Sequence, residues 1–136
     1  MYKTINSSGA TLVEVMVAVL VFAIGITSLL AVCVQGMSTA RRTEAAYTAY
    51  NLAKNHLETL KSMSFNDLGS ANETSIVLDA SGVADPDGFY TRSTAITTNY
   101  QGDANLVQVE TTVYYTVKGR QSAAPFEMTT VIYKNG

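Results

Sequence analysis

An uncharged run of twenty residues, Val15–Val34, most constrains what this chain can fold into. At about 1.5 Å of rise per residue, a helix of that length is roughly 30 Å long, which matches the hydrocarbon core of a bilayer. The run is apolar on every side, so it lacks the one-sided pattern of a helix on the surface of a soluble domain. We therefore expect it to span a membrane, to be buried among equally apolar partners, or to do both at different times.

A single carboxylate, Glu14, stands at the N-terminal end of this run. Moving a charged carboxylate from water into an apolar environment costs free energy, so such a residue by default has a partner or a function. A local alternative exists, because Thr11 and Glu14 have the spacing of a capping box, in which both side chains bind backbone N–H groups at a helix start. The positive end of the helix dipole also favours a carboxylate there. From these residues alone, both interpretations stay open.

Composition and charge argue against several classes of function. The net charge of the 136 residues is −2, so the chain shows no basic surface for a nucleic acid. Cys33 is the only cysteine and lies inside the apolar run, which excludes an intrachain disulfide and a thiol cluster for zinc. His56 is the only histidine, and no catalytic or metal-binding residues accompany it at a useful spacing. We therefore predict that the chain is not an enzyme and has no catalytic, cofactor or metal site.

The segment between Asp79 and Gly88 allows two interpretations. Asp79, Asp85 and Asp87 offer oxygen ligands in a glycine-containing loop, as calcium ions require. The spacing of a calcium-binding loop is absent, however, and Asp-Pro-Asp-Gly is an ordinary turn sequence. We favour the turn.

A long helix is predicted over about residues 11–62, since no proline occurs before Pro86 and the residues after Met37 are good helix formers. Its first half is apolar all round, while its second half has one apolar stripe at three- and four-residue spacing. Such a stripe predicts a face that packs on another part of the chain. The predicted stripe consists of Ala46, Ala49, Tyr50, Ala53, Leu57 and Leu60.

Four segments after the helix have β-strand patterns, at residues 75–79, 89–98, 106–117 and 125–134. The third is the clearest, because apolar and polar residues alternate through a β-branched and aromatic segment. With a turn at 118–122, the third and fourth segments predict an antiparallel hairpin. The expected fold class is therefore α+β, with a long N-terminal helix packed on a small antiparallel sheet of three to four strands.

The N-terminal residues also carry a motif. A short polar leader ends in Gly9, which is followed by Ala10, by Thr-Leu-Val-Glu-Val and by the apolar run. Together these features resemble the type IV pilin-like family. The resemblance implies that a prepilin peptidase cleaves after Gly9 and that Ala10, the new N-terminal residue, is N-methylated. It also implies that Glu14 pairs with the α-amino group of a neighbouring subunit in a filament.

The resemblance implies a domain organisation as well. Residues 1–9 would be the leader peptide, 10–36 a transmembrane and filament-core helix, and 37–136 a globular pilin domain with its helix at 37–62 and its sheet at about 75–134. Within residues 41–68, the segments 44–47 and 51–61, together with Phe65, are more loosely similar to PilV-like minor pilins and type II secretion pseudopilins. The chain lacks the helix proline and the paired cysteines of many major pilins, which favours a minor pilin or a pseudopilin.

The function implied by the resemblance is structural. The chain would be a subunit of a type IV pilus or pseudopilus, and most simply a minor pilin that initiates the filament or lies at its tip. Before assembly it would cross the bacterial inner membrane once, with the globular domain outside the cytoplasm. Its partners would be other pilin subunits, contacted through the N-terminal helix, together with the prepilin peptidase and the assembly machinery. The alternatives are a type II secretion pseudopilin and a membrane-anchored sensory or binding domain that does not polymerise.

Overall fold

The computed structural model describes residues 11–134, which form one long helix followed by an antiparallel sheet. The fold is α+β and pilin-like, as the sequence predicts. The helix α1 is Leu12–Lys61, and short 3-10 helices lie at Leu68–Ser70 and Tyr100–Gly102. The strands are β1 (Glu73–Leu78), β2 (Tyr90–Thr98), β3 (Leu106–Val117), β4 (Arg120–Gln121) and β5 (Phe126–Tyr133).

Helix α1 has 50 residues and differs from the predicted 11–62 by one residue at each end. At its start, the backbone N–H of Glu14 donates a hydrogen bond of 3.3 Å to the hydroxyl of Thr11, which is therefore the N-cap. The contacts divide the chain into two compact units, Met1–Thr39 and Ala40–Gly136, so α1 contributes residues to both.

Strand β3 is the centre of the sheet, because it pairs on one side with β2 and on the other with both β4 and β5. Every pairing is antiparallel, and β1 pairs with the free edge of β2. The predicted hairpin of the last two long strands is confirmed by the pairing of Leu106 with Tyr133 and of Val113 with Phe126.

The short strand β4 was not predicted. It follows a two-residue turn in which Lys118 and Gly119 both have positive φ, 53° and 71°. Positive φ at both central residues is the conformation that matches the twist of a tight hairpin. Arg120 and Gln121 therefore pair with the end of β3 before the chain bends outward and returns as β5.

The second half of α1 packs on one face of the sheet in two adjoining clusters. The first joins helix residues to the ends of β1 and β2 and to Val113 of β3, and the second joins Leu60 to Leu68, Val107 and Val109. Leu52, which the predicted stripe omitted, is buried, while Tyr50 lies at the rim and meets Phe126 edge-on. The buried helix residues are Ala49, Leu52, Ala53, Leu57 and Leu60.

The connection between β1 and β2 depends on a glycine. A Cβ atom added to Gly88 would overlap the backbone carbonyl of Leu78, which cannot move without disturbing β1. By contrast, a Cβ at Gly69 would make an ordinary contact of 3.7 Å with Thr98.

We expect Gly88→Ala to lower the free energy of unfolding by about 1–3 kcal/mol, because overpacking against backbone forces the strand to shift. Gly69→Ala is the matched control and should leave the thermal midpoint almost unchanged. The measurement is thermal unfolding of the full chain in detergent. Equal midpoints for the two variants would contradict this account of the loop.

Candidate functional site

The first candidate site is the apolar surface of α1 between Leu12 and Val34. All of its large apolar side chains are exposed, and α1 is long and apolar enough to cross a membrane by its length and composition. The polar groups within it are satisfied locally, since Thr27 and Ser28 donate their hydroxyls to backbone carbonyls of the preceding turn. The helix therefore presents an almost entirely apolar surface, with Cys33 exposed on it.

Glu14 lies in the first turn of this surface. Its backbone N–H is capped by Thr11, so one half of the predicted capping box is present. Within residues 11–134, however, the Glu14 carboxylate has no hydrogen-bond or ion-pair partner. The cap explains the start of the helix and leaves the carboxylate free for a partner outside this part of the chain. The predicted cleavage and methylation positions, Gly9 and Ala10, lie outside the described residues.

A second site is a polar cluster between α1 and the sheet. Arg92 on β2 makes two hydrogen bonds to the Glu73 carboxylate, of 2.7 and 2.9 Å. His56 on α1 places Nε2 at 3.4 Å from the same carboxylate and at 3.1 Å from the hydroxyl of Thr94. That hydroxyl donates to Glu73 over 3.3 Å. The side chains of His56 and Arg92 are only 13% and 12% exposed, so the cluster is an internal connection between helix and sheet.

A β-bulge places Glu73 in this cluster. The register of β1 against β2 shifts between Glu73 and Ile76, and Ser75 in the bulge has a positive φ of 52°. Because side chains alternate between the two faces of a strand, the extra residue turns Glu73 to the same face as Ile76 and Leu78. Without the bulge, Glu73 would point away from the helix.

This cluster was not predicted, because the residues next to His56 in the sequence do not belong to it. A usable signal was present, because His56 lies four residues from both Leu52 and Leu60 and therefore belongs to the buried face of α1. The positions of Glu73 and Arg92 had no comparable signal, since the first depends on the bulge and the second on strand register.

The charge state of the cluster follows from burial and from Arg92. Burial lowers the pKa of His56 below its ordinary 6.5, the Arg92 charge lowers it further, and the Glu73 charge opposes both. For Glu73, burial acts to raise the pKa, but the hydrogen bonds and charge of Arg92, with help from His56 and Thr94, hold it below its ordinary 4.5. At neutral pH the cluster is therefore a Glu73–Arg92 ion pair beside a neutral His56.

This arrangement is suited to stabilising the fold rather than to catalysis. The Glu73 carboxylate, which would have to act as a base, is held by both guanidinium contacts. The Thr94 hydroxyl belongs to a residue that is 2% exposed, so a substrate does not reach it. Among residues 11–134, no three His, Cys, Asp or Glu side chains come together in a group that could hold a metal ion.

The Asp79–Gly88 segment is a turn. One carboxylate oxygen of Asp79 accepts hydrogen bonds from the backbone N–H and hydroxyl of Ser81 and from the N–H of Val83, at 2.7–3.0 Å. These bonds, led by that of Ser81, lower the pKa of Asp79. The preferred interpretation as a turn is confirmed, and Asp79 uses its carboxylate to hold the loop.

Comparison with known proteins identifies the N-terminal region. Residues 5–30 match the model of the prokaryotic N-terminal methylation motif, and this match includes Gly9, Ala10 and Glu14. The motif indicates a type IV pilin-like prepilin. No curated protein and no solved structure matches the chain. The matched motif therefore covers the start of the exposed apolar helix and does not extend to the sheet.

The polar cluster should make the stability of the sheet domain depend on pH. His56 has an ordinary pKa of 6.5 when unfolded and a lower one when folded, so below pH 6.5 the unfolded chain binds more protons and stability falls. Glu73 adds a further loss below its ordinary 4.5, for the same reason. We expect the urea midpoint of the full chain in detergent to fall between about pH 7.5 and about pH 5.

His56→Gln is the test variant, since glutamine retains a hydrogen-bonding group and does not titrate. It should remove most of the change in midpoint over this range. A midpoint that changes as much in His56→Gln as in the unmodified chain would show that other groups cause the pH dependence.

Proposed function

We propose that this chain is a structural subunit of a type IV pilus or pseudopilus, held in the bacterial inner membrane before it joins a filament. The observation that carries the proposal is the exposed apolar surface of Leu12–Val34, most of which lies in the N-terminal methylation motif matched at residues 5–30. At its N-terminal end, the Glu14 carboxylate has no partner within residues 11–134. Such a surface requires apolar surroundings, and lipid and the helices of other subunits both supply them.

The two environments define two stages. In the first, α1 crosses the inner membrane once and the sheet domain lies outside the cytoplasm. In the second, after a prepilin peptidase has cut between Gly9 and Ala10, the same apolar surface packs against the helices of other subunits. Assembly proteins supply the chemistry and the work, so the chain itself is not an enzyme and needs no cofactor or nucleic acid.

In this proposal Glu14 directs docking. A carboxylate in an apolar bundle is unfavourable alone, but an oppositely charged group at close distance offsets part of its desolvation. The α-amino group of Ala10 in a neighbouring subunit has the required charge and becomes available only after cleavage. A docking interaction of this kind selects processed subunits and fixes the register between helices.

We further propose the domain limits 1–9, 10–36 and 37–136 for leader, apolar helix and globular domain. The division of contacts after Thr39 supports a limit in this part of α1. Within the family we propose a minor pilin, on the similarity of residues 44–47 and 51–61 with Phe65, and on the lack of a helix proline and of a cysteine pair. A type II secretion pseudopilin is the alternative, because the same features occur in both groups.

The mass of the intact protein, recovered from its native host, tests the proposal. We expect a chain that begins at Ala10, with or without one added methyl group, when prepilin peptidase is active, and a chain that begins at Met1 when it is inactive. A chain that begins at Met1 in cells with active peptidase would instead favour an anchored sensory or binding domain that does not polymerise.

Glu14→Gln tests the docking role, because it removes the charge and retains the size of the side chain. We expect the variant to insert in the membrane and fold, and to enter filaments at least about tenfold less than the unmodified chain, since breaking a buried charge pair is strongly unfavourable. Glu44→Gln, which removes an exposed carboxylate farther along α1, is the control and should assemble normally. Normal assembly of Glu14→Gln would remove the docking role.

A further inference from the structure

Two surfaces of opposite charge occur at one end of the sheet, where β2 begins and β3 ends. The first, which we call the basic cleft, is a cavity of about 420 Å³ beside β4. Its charged walls are Arg42 and Arg120, and its remaining walls include the side chains of Tyr115 and Val117. Within residues 11–134, neither arginine has an acidic partner.

The unpredicted hairpin builds this cleft. The turn at Lys118 and Gly119 brings Arg120 back alongside β3. Residues 122–125 then leave the pairing with β3, which resumes at Phe126 in β5. Ser122, the first residue of this segment, is fixed by its backbone N–H, which donates to the Tyr115 carbonyl over 2.8 Å. The cleft wall is therefore held by backbone hydrogen bonds.

The second surface, the acidic loop, is formed by residues 83–89 between β1 and β2. It carries Asp85 and Asp87, flanked by Val83 and Phe89, which are 62% and 66% exposed. Neither aspartate forms an ion pair within the described part of the chain. The loop combines negative charge with exposed apolar groups, just as the cleft combines positive charge with apolar walls.

The acidic loop has a defined shape. At its first residue, the backbone N–H of Val83 donates to the Asp79 carboxylate over 3.0 Å. Farther along, the N–H of Asp85 donates to the Val77 carbonyl over 3.0 Å, and the N–H of Gly88 donates to the Asp85 carbonyl over 2.9 Å. A contact between two surfaces that are both formed in advance loses little conformational entropy on binding.

We propose that the basic cleft of one copy binds the acidic loop of a second copy of this chain. The proposal rests on the proposed function and adds to it that copies of this subunit lie side by side in the filament. Arg42 and Arg120 would take the carboxylates of Asp85 and Asp87, because guanidinium groups form strong paired hydrogen bonds with carboxylates. The exposed Phe89 and Val83 would lie against the apolar walls.

The positions of the two surfaces suit a filament. The Thr116 N–H donates to the Phe89 carbonyl over 2.7 Å, so the loop and the cleft lie at the same end of the sheet. The loop, however, joins β1 and β2, whereas the cleft lies on the β4 side of β3. When the cleft of one copy binds the loop of another, the pair still has one free loop and one free cleft, so the contact continues from copy to copy.

Disulfide cross-linking of the full chain in its native host tests the contact. Cys33 is first replaced by alanine, so that two introduced cysteines are the only thiols. Val83→Cys places one in the acidic loop, and Ala123→Cys places one in the cleft wall. Mild oxidation should give a ladder of dimers and higher multimers. The control pair, Gln101→Cys with Ala123→Cys, should give monomer, because Gln101 lies near the opposite end of β2.

Charge reversal tests the chemistry of the contact in the same chain. Asp87→Arg alone and Arg120→Asp alone should each lower the cross-linked fraction by about tenfold, because each places like charges opposite one another. The two together should restore it, since position 87 of one copy and position 120 of the next then again carry opposite charges. A ladder that is unchanged by the single reversals, or cross-links to another protein instead of a second copy, would overturn the proposal.

Leader removal and recovery in filaments, measured on the same samples, separate this inference from the proposed function. A processed chain that enters filaments without giving the ladder overturns the inference alone, as would a subunit that occurs singly in each filament. An unprocessed chain that stays out of filaments overturns the proposed function. If that chain also gives no ladder of cross-linked multimers, the result overturns both the proposed function and this inference.

Discussion

Water is an unfavourable solvent for the side chains between Leu12 and Val34, and most of the chain's properties depend on that constraint. Burial of each Val, Leu, Ile or Phe side chain contributes about 1.5–3 kcal/mol relative to exposure. In the described part of the chain these side chains are exposed. Such a surface is favourable only in apolar surroundings. In the proposed function, lipid and the helices of neighbouring subunits both satisfy this requirement, which is why one surface would suit a membrane stage and a filament stage.

The same helix changes its character after Thr39. From Ala49 onward, one side of α1 is buried on the sheet, and the rest of it carries charged residues in contact with water. The buried side of the helix combines the small residues Ala49 and Ala53 with the larger Leu52, Leu57 and Leu60. The polar cluster adds directional bonds to this apolar contact, and it ties the helix to two strands through one carboxylate.

The edges and ends of the sheet carry the irregular features. The bulge at Ser75 turns Glu73 inward, and the turn at Lys118 and Gly119 produces the cleft beside β4. Positive φ values in non-glycine residues such as Ser75 and Lys118 are locally unfavourable, and they persist where the surrounding hydrogen bonds determine the backbone. The bulge places Glu73 in the polar cluster and the turn forms the basic cleft, and neither changes the order of the strands in the sheet.

The sequence by itself determined the helix, the four long strands, the final hairpin and the N-terminal motif. These follow from local patterns: an uncharged run, a stripe of period near 3.6, and strict alternation in β3. The turn between Asp79 and Gly88 could also be predicted from local sequence, because an aspartate side chain can bind the backbone two to four residues ahead of it.

Only the tertiary structure decided which polar residues meet. His56, Glu73 and Arg92 are far apart in the chain, and their contact depends on strand register and on one bulge, neither of which has a signature in residue order. Strand β4 and the basic cleft escaped prediction because two paired residues are too few for a periodic pattern. Local sequence sets the backbone conformation of each element, whereas contacts across the sheet depend on how several elements align, and that alignment is a property of the whole fold.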